Sequence, residues 1–309
     1  MLIYSIIVTY NGMNNNWIKK CLESLLNSNV KTNIVVIDNN SSDETVIFIK
    51  ENYPEIILIE QKVNIGFGQA NNLGLNIGLK NNADFYFLLN QDAWVTSETI
   101  SNLINELQKD SSFGLVSPIH LDGDGANLDL SFSNYIVPKN CKTFYSDSVL
   151  CNYRKKIYDC TFVNAACWLL SKKCIETVGG FSPSFFHYGE DDNYSHRLHF
   201  HSLKLGIVPN TFIFHDRAKR LSNKYFDDRL IVYKRKIILE ASNPKSNFSW
   251  KKEQILLFKD LTKSILLLNF TFTRFVLNKN KVLRNINRTE ISINKIQSKF
   301  KKASFLSNE

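Results

Sequence analysis

Residues 3–38, IYSIIVTYNGMNNNWIKKCLESLLNSNVKTNIVVID, carry the pattern that decides the fold. The segments 3–9 and 33–38 are short and almost wholly apolar, which is typical of strands buried on both faces of a sheet. Between them, apolar residues recur at helical spacing and predict a helix over 16–28: Trp17, Ile18, Cys21, Leu22, Leu25 and Leu26. Strand, helix and strand in this order predict parallel strands joined by a right-handed crossover.

The same alternation continues along the chain. Further strands are predicted at 56–60, 84–90, 161–170 and 207–214, and helices at 68–80, 171–178, 190–204 and from a Ser42 or Asp43 cap to about Asn52. The segment 111–160 is rich in Ser, Asn and Asp and predicts loops and weak strands, whereas from 222 onward the pattern is helical and basic. The predicted fold class is an α/β fold with a mostly parallel, Rossmann-like sheet flanked by helices, followed by a C-terminal basic helical extension.

The composition excludes several classes of protein. With 309 residues and 44% apolar content, the chain can form one large α/β domain or two small ones. Six cysteines without a CxxC pair favour buried, reduced thiols over a disulfide framework or a zinc site. The first residues, MLIYSIIVTYN, predict a strand rather than a signal peptide, and no apolar run reaches the ~18 residues of a membrane span. We therefore expect a cytoplasmic protein.

The charge is unevenly distributed. Residues 1–216 hold 16 Lys and Arg against 22 Asp and Glu, whereas residues 217–309 hold 22 against 7, a net charge of +15. An acidic front half suits metal and hydroxyl chemistry. A basic rear half suits an anionic surface, either a membrane or a nucleic acid.

Polar residues that follow the predicted strands are the first candidates for a ligand site, because open parallel sheets bind ligands beyond the carboxyl ends of their strands. These are Thr9, Tyr10, Asn11, Asp38, Asn40, Asp43, Asn64, Gly66, Phe67, Asn71 and Asn90. The acids at 38 and 43 could accept hydrogen bonds from a nucleobase and a ribose. Ordinary turn and capping chemistry explains the same residues equally well.

Carboxylates suggest two further sites. Asp92 ends the strand segment LLNQDAWV and could hold Mg²⁺ or Mn²⁺ beside a diphosphate, or it could cap a helix. Glu190, Asp191 and Asp192 follow an aromatic loop and begin a helix. Acids stabilise a helix N-terminus, but a desolvated carboxylate is also a general base for a hydroxyl. His215, at a strand tip, could be structural or could ligate a metal.

Six segments in order, between about residues 3 and 236, resemble glycosyltransferase family 2, whose inverting members have the GT-A fold. They are SIIVTYNG, VVIDNNSSDET, NIGFGQANNLGL, FLLNQDAWV, FVNAACWLLSKKCIETVGGFSPSFFHYGEDDNYSHRL and HDRAKRLSNKYFDDRLIVYKRK. The similarity is greatest to rhamnosyltransferase-like members. It implies a GT-A domain over 1–240, with a nucleotide-sugar half to about 110 and an acceptor half from about 111, and a separate region over 241–309.

The resemblance assigns roles to single positions. Asp38 matches the nucleobase-contacting aspartate, Asp191 the catalytic base, and Asp92 with His215 the metal ligands. Trp168, Glu190 and Arg197 fall in the acceptor-side segment and are predicted to bind substrate. Three positions depart from the family pattern: Asn90 and Gln91 leave the metal motif with one acid, and Asn193 stands where many members have a further acid. The QxxRW motif of processive members is absent, which predicts one sugar added per binding event.

The implied reaction transfers a sugar from dTDP-rhamnose or a UDP-sugar to a glycan or lipid-linked acceptor, in bacterial cell-surface polysaccharide or O-antigen biosynthesis. The alternatives are a catalytically inactive partner of this fold and a nucleic-acid- or membrane-binding protein. A nucleotidyltransferase would need a basic glycine-rich loop, which TYNGMNNN lacks, and no nucleic-acid motif is present. The segment 246–309 mixes Leu, Ile and Phe with Lys and Arg, which indicates either a packed helical subdomain or an amphipathic surface on an anionic membrane.

Overall fold

A computed structural model describes residues 1–217 and 224–306. Its first half is a parallel sheet in the order β3-β2-β1-β4, formed by β1 (Ile3–Thr9), β2 (Asn33–Asp38), β3 (Ile57–Glu60) and β4 (Phe85–Asn90). The register pairs Thr9 with Asp38 and Val8 with Asn90. These strands therefore end together at one edge, and the predicted fold class is confirmed.

The second half of the sheet is mixed. It adds β5 (Ala93–Val95), β6 (Phe113–Asp122), β7 (Tyr158–Cys160), β8 (Cys167–Ser171) and β9 (Lys204–His215). The prediction of weak strands over 111–160 is wrong for β6, a ten-residue strand that pairs with both β8 and β9. Its polar residues and Pro118 hide it in the sequence, and the register with β9 shifts at that proline.

Helices cover both faces of the sheet because successive strand residues point to opposite sides. Ile6 and Leu88 join one core with residues of α3 and α8, and Ile7 and Leu89 join another with residues of α1 and α4. The helices of this part are α1 (Trp17–Leu26), α2 (Thr45–Asn52), α3 (Phe67–Lys80), α4 (Thr99–Leu107), α5 (Leu130–Tyr135), α6 (Phe144–Val149), α7 (Lys172–Val178) and α8 (Glu190–Phe200).

The rear of the chain is helical, as predicted from 222 onward. It comprises α9 (Lys224–Asp227), α10 (Arg229–Ser242), α11 (Trp250–Leu266), α12 (Phe270–Arg284) and α13 (Arg288–Gln297). Tyr233 and Ile237 of α10 form a small core with Leu257, Val276 and Leu283. The predicted boundary at residue 240 therefore falls inside α10, a helix that packs against the helices after it.

Residues 303–306, which we call the strap, return to the sheet domain. The Ser304 carbonyl accepts a hydrogen bond from the Gly180 N–H at 2.8 Å. Phe305 lies under the guanidinium of Arg197, 4.9 Å from the ring centre. The helical region is therefore attached to the sheet domain at both of its ends.

Five of the six cysteines are buried and all six are free thiols, as the spacing predicted. In the parts of the chain that the structure covers, no helix is long and apolar enough to cross a bilayer.

Candidate active site

A cavity of about 420 Å³ opens where β1, β2 and β4 end. Its walls come from loops that follow these strands and from the aromatic loop before α8. The lining residues include Tyr10, Trp17, Asn39, Asn64, Gly66, Phe67, Asn90, Gln91, Asp92, Phe186, His187 and Tyr225. We call it the strand-end cavity. It gathers six of the predicted site residues: Tyr10, Asn64, Gly66, Phe67, Asn90 and Asp92.

Asn39 organises one wall of the strand-end cavity. Its Nδ2 donates to Asn64 Oδ1 at 3.0 Å and to the Gly66 carbonyl at 3.3 Å, and its Oδ1 accepts from the Ile65 N–H at 2.9 Å. Gly66 has φ +84°, and a Cβ there would collide with the Phe186 carbonyl, so only glycine fits. Asn39 was not among the site residues predicted from the sequence, although its position directly after the β2 strand is the signal that marks it.

The carboxylate of Asp38 lies behind this wall. It is buried, and its Oδ2 accepts from the Ser41 N–H at 3.0 Å, whereas its Oδ1 is enclosed and has no hydrogen-bond partner. Asn11 and Asp43 also serve the loop: Asn11 Oδ1 accepts from the Ser42 N–H at 2.9 Å, and Asp43 Oδ2 from the Met13 N–H at 3.2 Å. An unpaired buried acceptor is unfavourable, so a donor arriving at Asp38 would gain from it.

Gln91 occupies the position where the resemblance leads one to expect an acid. Its side-chain amide faces the backbone of Tyr10: Oε1 accepts from the N–H at 2.9 Å, and Nε2 donates to the carbonyl at 3.0 Å. Thr9 Oγ1 also donates to Oε1, at 2.6 Å. Gln91 therefore fixes the loop after β1, a task that needs an amide because a carboxylate has no donor.

Asp92 and His215 lie side by side, because β5 pairs with β9 so that Ala93 faces His215. His215 Nε2 is 3.5 Å from Asp92 Oδ1, and its Nδ1 is 3.4 Å from Asp129 Oδ2. All three side chains are buried. These distances are those of an ion pair rather than of short hydrogen bonds, which explains why neither ring nitrogen has an ideal partner.

Charge in this trio is set by its neighbours. Burial lowers the pKa of His215, but Asp92 and then Asp129 raise it, and the net shift is upward. Burial raises the pKa of Asp129, yet its polar contact with His215 brings it down to about 2. Nearby His120 has its pKa lowered to about 3 by burial and by His215. The two carboxylates that flank His215 therefore favour its protonated form.

A divalent cation could be held beside Asp92 only if a bound nucleotide also supplied oxygen atoms to it. Asp92 lines the cavity and supplies oxygen donors of the kind that Mg²⁺ and Mn²⁺ prefer. His215 would have to leave one carboxylate in order to bind a metal. Within residues 1–217 and 224–306, no three His, Cys, Asp or Glu side chains are grouped to hold a metal ion. The donor set fits a cation bound by one or two protein ligands and by phosphate oxygens.

A second cavity, of about 350 Å³, adjoins the first. Both are lined by Phe67, Asn90 and His187. The second contains Glu190, Asp191 and Asp192 from the first turn of α8 and, opposite them, Arg235 and Tyr135. We call it the acidic cavity. Tyr135 comes from a region without a motif, whereas Arg235 belongs to the sixth segment that resembles the family, and neither was among the predicted site residues.

The pKa values of all three acids are raised, mainly by burial. Burial, then the charge of Asp191, raises the pKa of Glu190 to about 8. Burial and Asp191 raise the pKa of Asp192 to about 7, against the opposing effect of Arg235. Burial also raises the pKa of Asp191, while backbone N–H groups and Arg235 oppose the shift. Three neighbouring carboxyls oppose one another's ionisation because like charges repel. A carboxylate that does form here is therefore more basic than one at the surface.

Other predicted site residues line neither cavity. Trp168 is buried, stacks on Phe181, and donates from Nε1 to the Val163 carbonyl at 3.2 Å. Arg197 is buried and donates to the Asn193 side chain and to the carbonyls of Val178 and Gly180. Asn71 donates to the Phe67 carbonyl at 3.0 Å, Asn40 is exposed, and Thr9, Asn11, Asp38 and Asp43 lie beneath the loops.

A larger cavity, of about 520 Å³, lies elsewhere, between α4 and the middle of β9. Lys109, Lys155, Lys156 and Asn210 line it. None of the predicted site residues reaches it. Volume alone therefore does not mark the active site.

A family model described as Glycosyl transferase family 2 matches residues 5–179, more than half of the chain. Among curated proteins, the low-salt glycan biosynthesis hexosyltransferase Agl10 of Haloferax volcanii is 26% identical over 176 residues, or 56% of this chain and 55% of that protein. The match thus spans about half the length of this relative, whose description names a hexosyltransferase and not a rhamnosyltransferase.

Solved structures share the fold at low identity. The S. aureus TarS fragment 1–349 has a TM-score of 0.58 at 13% identity, with 97% of this chain and 90% of that chain covered. The same fragment in complex with UDP gives 0.52 at 13% identity, over 81% and 67%. GalNAc-T7 with UDP, GalNAc and Mn²⁺ gives 0.56 at 16% identity, over 80% and 51%. The architecture is thus GT-A-like.

Proposed function

The chain belongs to glycosyltransferase family 2, and from this premise we propose that it transfers one sugar from a nucleotide-sugar to an acceptor hydroxyl with inversion. The observation that carries the proposal is that two cavities of opposite chemistry meet at Phe67, Asn90 and His187. The strand-end cavity takes the nucleotide diphosphate, and the acidic cavity takes the acceptor. The anomeric carbon of the donor then lies at their junction.

Asp191 is the proposed general base. It is half-buried at the acidic cavity, and its raised pKa makes it more basic than a surface aspartate. It removes the proton from the acceptor hydroxyl, whose oxygen bonds to the anomeric carbon as the bond to the diphosphate oxygen breaks. Glu190, with a pKa of about 8, keeps its proton at neutral pH, so it serves as a donor in the hydrogen bonding of a sugar.

Asp92 is the proposed protein ligand of a divalent cation, and His215 is its second candidate ligand. When bound, Mg²⁺ or Mn²⁺ would neutralise charge on the departing diphosphate. Asp92 and Asp129 flank His215 and raise its pKa, and the Gln91 amide holds the loop after β1 in place. These contacts fix the position of the Asp92 carboxylate at the cavity wall.

We favour a UDP-hexose as the donor. Two of the similar solved structures are complexes with UDP, and the curated relative is described as a hexosyltransferase. A dTDP-sugar, including dTDP-rhamnose, stays a prediction from the sequence. The relative's role in glycan biosynthesis supports an acceptor that is a growing cell-surface glycan.

The test is thermal unfolding of the protein with UDP, dTDP, GDP and CDP, each with and without Mn²⁺. A ligand that binds the folded state raises the Tm by mass action. We expect UDP with Mn²⁺ to give the largest rise. Stabilisation by UDP without Mn²⁺ would contradict the role of Asp92 but keep the nucleotide site. If no nucleotide raises the Tm, the transferase proposal fails, and a catalytically inactive partner of this fold becomes the better explanation.

A further inference from the structure

The turn between α11 and α12 is apolar and exposed. Five of the six residues from 265 to 270 are Leu, Ile or Phe, and we call these five the apolar tip. Their exposed fractions are 55% for Ile265, 79% for Leu266, 67% for Leu267, 73% for Leu268 and 79% for Phe270. A contiguous apolar patch of this kind marks an interaction surface.

Packing inside the hairpin does not explain the apolar tip. The inward side chains of α11 and α12 are Leu257 and Val276, which are buried against α10. The tip lies beyond this small core. Phe258, at 69% exposure, is seven residues before Ile265 and extends the apolar surface along the outer face of α11.

The shape of the tip favours a fluid partner. Leu266 is the last residue of α11, Leu267 its C-cap, and Leu268 has a left-handed φ of 52°. Successive residues around a helix end point in different directions, about 100° apart in the helix. The flat surface of a folded protein would cover only one side of such a turn, whereas lipid chains can surround it.

Positive charge stands behind the tip. From residue 250 to 284, the hairpin holds eight Lys and Arg and only two acids, Glu253 and Asp260. Lys263 and Lys259 on α11 precede Ile265 by about 3 and 9 Å along the helix, and Arg274 on α12 follows Phe270 by about 6 Å. Apolar groups in front and cations one or two turns behind match the acyl boundary and the phosphates of an anionic leaflet.

We propose that the apolar tip inserts into an anionic lipid bilayer, with Lys259, Lys263 and Arg274 against the headgroup phosphates. The hairpin enters the surface of one leaflet and does not cross it. This inference does not depend on the proposed function. If both hold, the membrane places the active site beside an acceptor carried by a lipid.

The test uses the full chain with Phe270→Trp as a fluorescent reporter, read as the difference from the wild type because the four native tryptophans also emit, and vesicles of phosphatidylcholine with or without 30% phosphatidylglycerol. We expect a blue shift of the emission on the anionic vesicles and quenching by lipids that are brominated near the headgroup end of the acyl chain. A reporter that neither shifts nor is quenched would overturn the proposal.

Co-sedimentation with the same vesicles separates the contribution of the apolar side chains from that of the positive charges. Leu266→Ser with Leu268→Ser should weaken binding at least tenfold, whereas the matched control Leu150→Ser, which removes another leucine of 73% exposure, should leave it unchanged. Lys259→Glu with Lys263→Glu should weaken binding only to anionic vesicles and mainly at low salt.

Two results would reject a membrane partner. If the serine pair sediments like the wild type, the tip does not insert. If light scattering shows a dimer that the serine pair dissociates, the tip contacts a second copy of the chain instead. Nucleotide-dependent thermal shifts of each variant report on folding and on the proposed function, so that failure of either proposal is recognised separately.

Discussion

The two adjoining cavities differ in how their polar groups are satisfied. In the strand-end cavity, Asn39, Asn64 and Gln91 are neutral amides that already bond to each other or to backbone. In the acidic cavity, Glu190 has a buried oxygen without a partner, and its neighbours have raised pKa values. Satisfied amides give a rigid, pre-shaped wall, which suits recognition. Desolvated carboxylates are more basic than exposed ones, which suits proton transfer.

The largest effect is expected in the acidic cavity, from loss of the proposed base. Asp191→Asn keeps the shape of the side chain but removes the proposed base, so kcat should fall by about 10²–10⁴. Nucleotide binding by thermal shift should be unchanged. Asp192→Asn should lose much less activity. Equal losses in both variants would mean that the acids act as a group and would contradict a single base at Asp191.

The second-largest effect is expected at Asp92, which lines the strand-end cavity. Asp92→Asn should abolish the Mn²⁺-dependent part of the nucleotide-induced rise in Tm and lower kcat about 100-fold, because a metal ion contributes several kcal/mol. The control is Asp84→Asn, at the opposite end of β4, which should retain metal dependence. If Asp92→Asn still shows a Mn²⁺-dependent rise in Tm, Asp92 is not the metal ligand and the metal binds at another site.

A third prediction tests the desolvated acids through stability. Between about pH 5 and 8 the unfolded chain has lost the proton of Glu190, whereas the folded protein, with a pKa of about 8, retains it. Rising pH therefore favours the unfolded state. Glu190→Gln removes this penalty, so its free energy of unfolding should gain on the wild type by about 3 kcal/mol from pH 5 to 8. Urea titrations at both pH values measure this, with exposed Glu55→Gln as the control. If the two proteins differ in free energy of unfolding by the same amount at pH 5 and at pH 8, the raised pKa of Glu190 is refuted.

The smallest effect is expected in the wall of the strand-end cavity, where Asn39 supports binding of the donor. Asn39→Ala removes three hydrogen bonds that hold the loop at 64–66, so KM for the donor should rise about tenfold, in line with one or two net hydrogen bonds, while kcat changes little. Asn52→Ala, on the exposed face of α2, is the matched control. A fall in kcat instead of a rise in KM would mean that Asn39 contributes to chemistry.

Much of the parallel half of the fold could be predicted, because its strands are short apolar runs. The predicted 3–9 and 33–38 coincide with β1 and β2, and 56–60 and 84–90 lie within one residue of β3 and β4. β6 could not be recognised, since Ser117, Pro118 and His120 interrupt its apolar pattern and only pairing with β8 and β9 makes it a strand.

The candidate site could be predicted only in part. The rule that ligands bind beyond strand ends located Asn64, Gly66 and Asp92 in one cavity. It could not supply the partner of His215 at Asp129, because that contact spans 86 residues and depends on sheet order. Residue type was also insufficient at Arg197, which looks like an anion ligand in sequence but is enclosed by carbonyl groups and two aromatic rings.

The strap has a consequence for synthesis of the chain. Phe305 covers Arg197, and the Ser304 carbonyl completes the turn at Gly180, yet these partners are more than a hundred residues apart in sequence. At translation rates of about 5–20 residues per second, Arg197 leaves the peptidyl transferase centre roughly 5–20 s before its cover is made. Throughout that interval Arg197 lacks the ring of Phe305 and Gly180 lacks the Ser304 carbonyl, so the last residues of the strap complete the packing of the sheet domain.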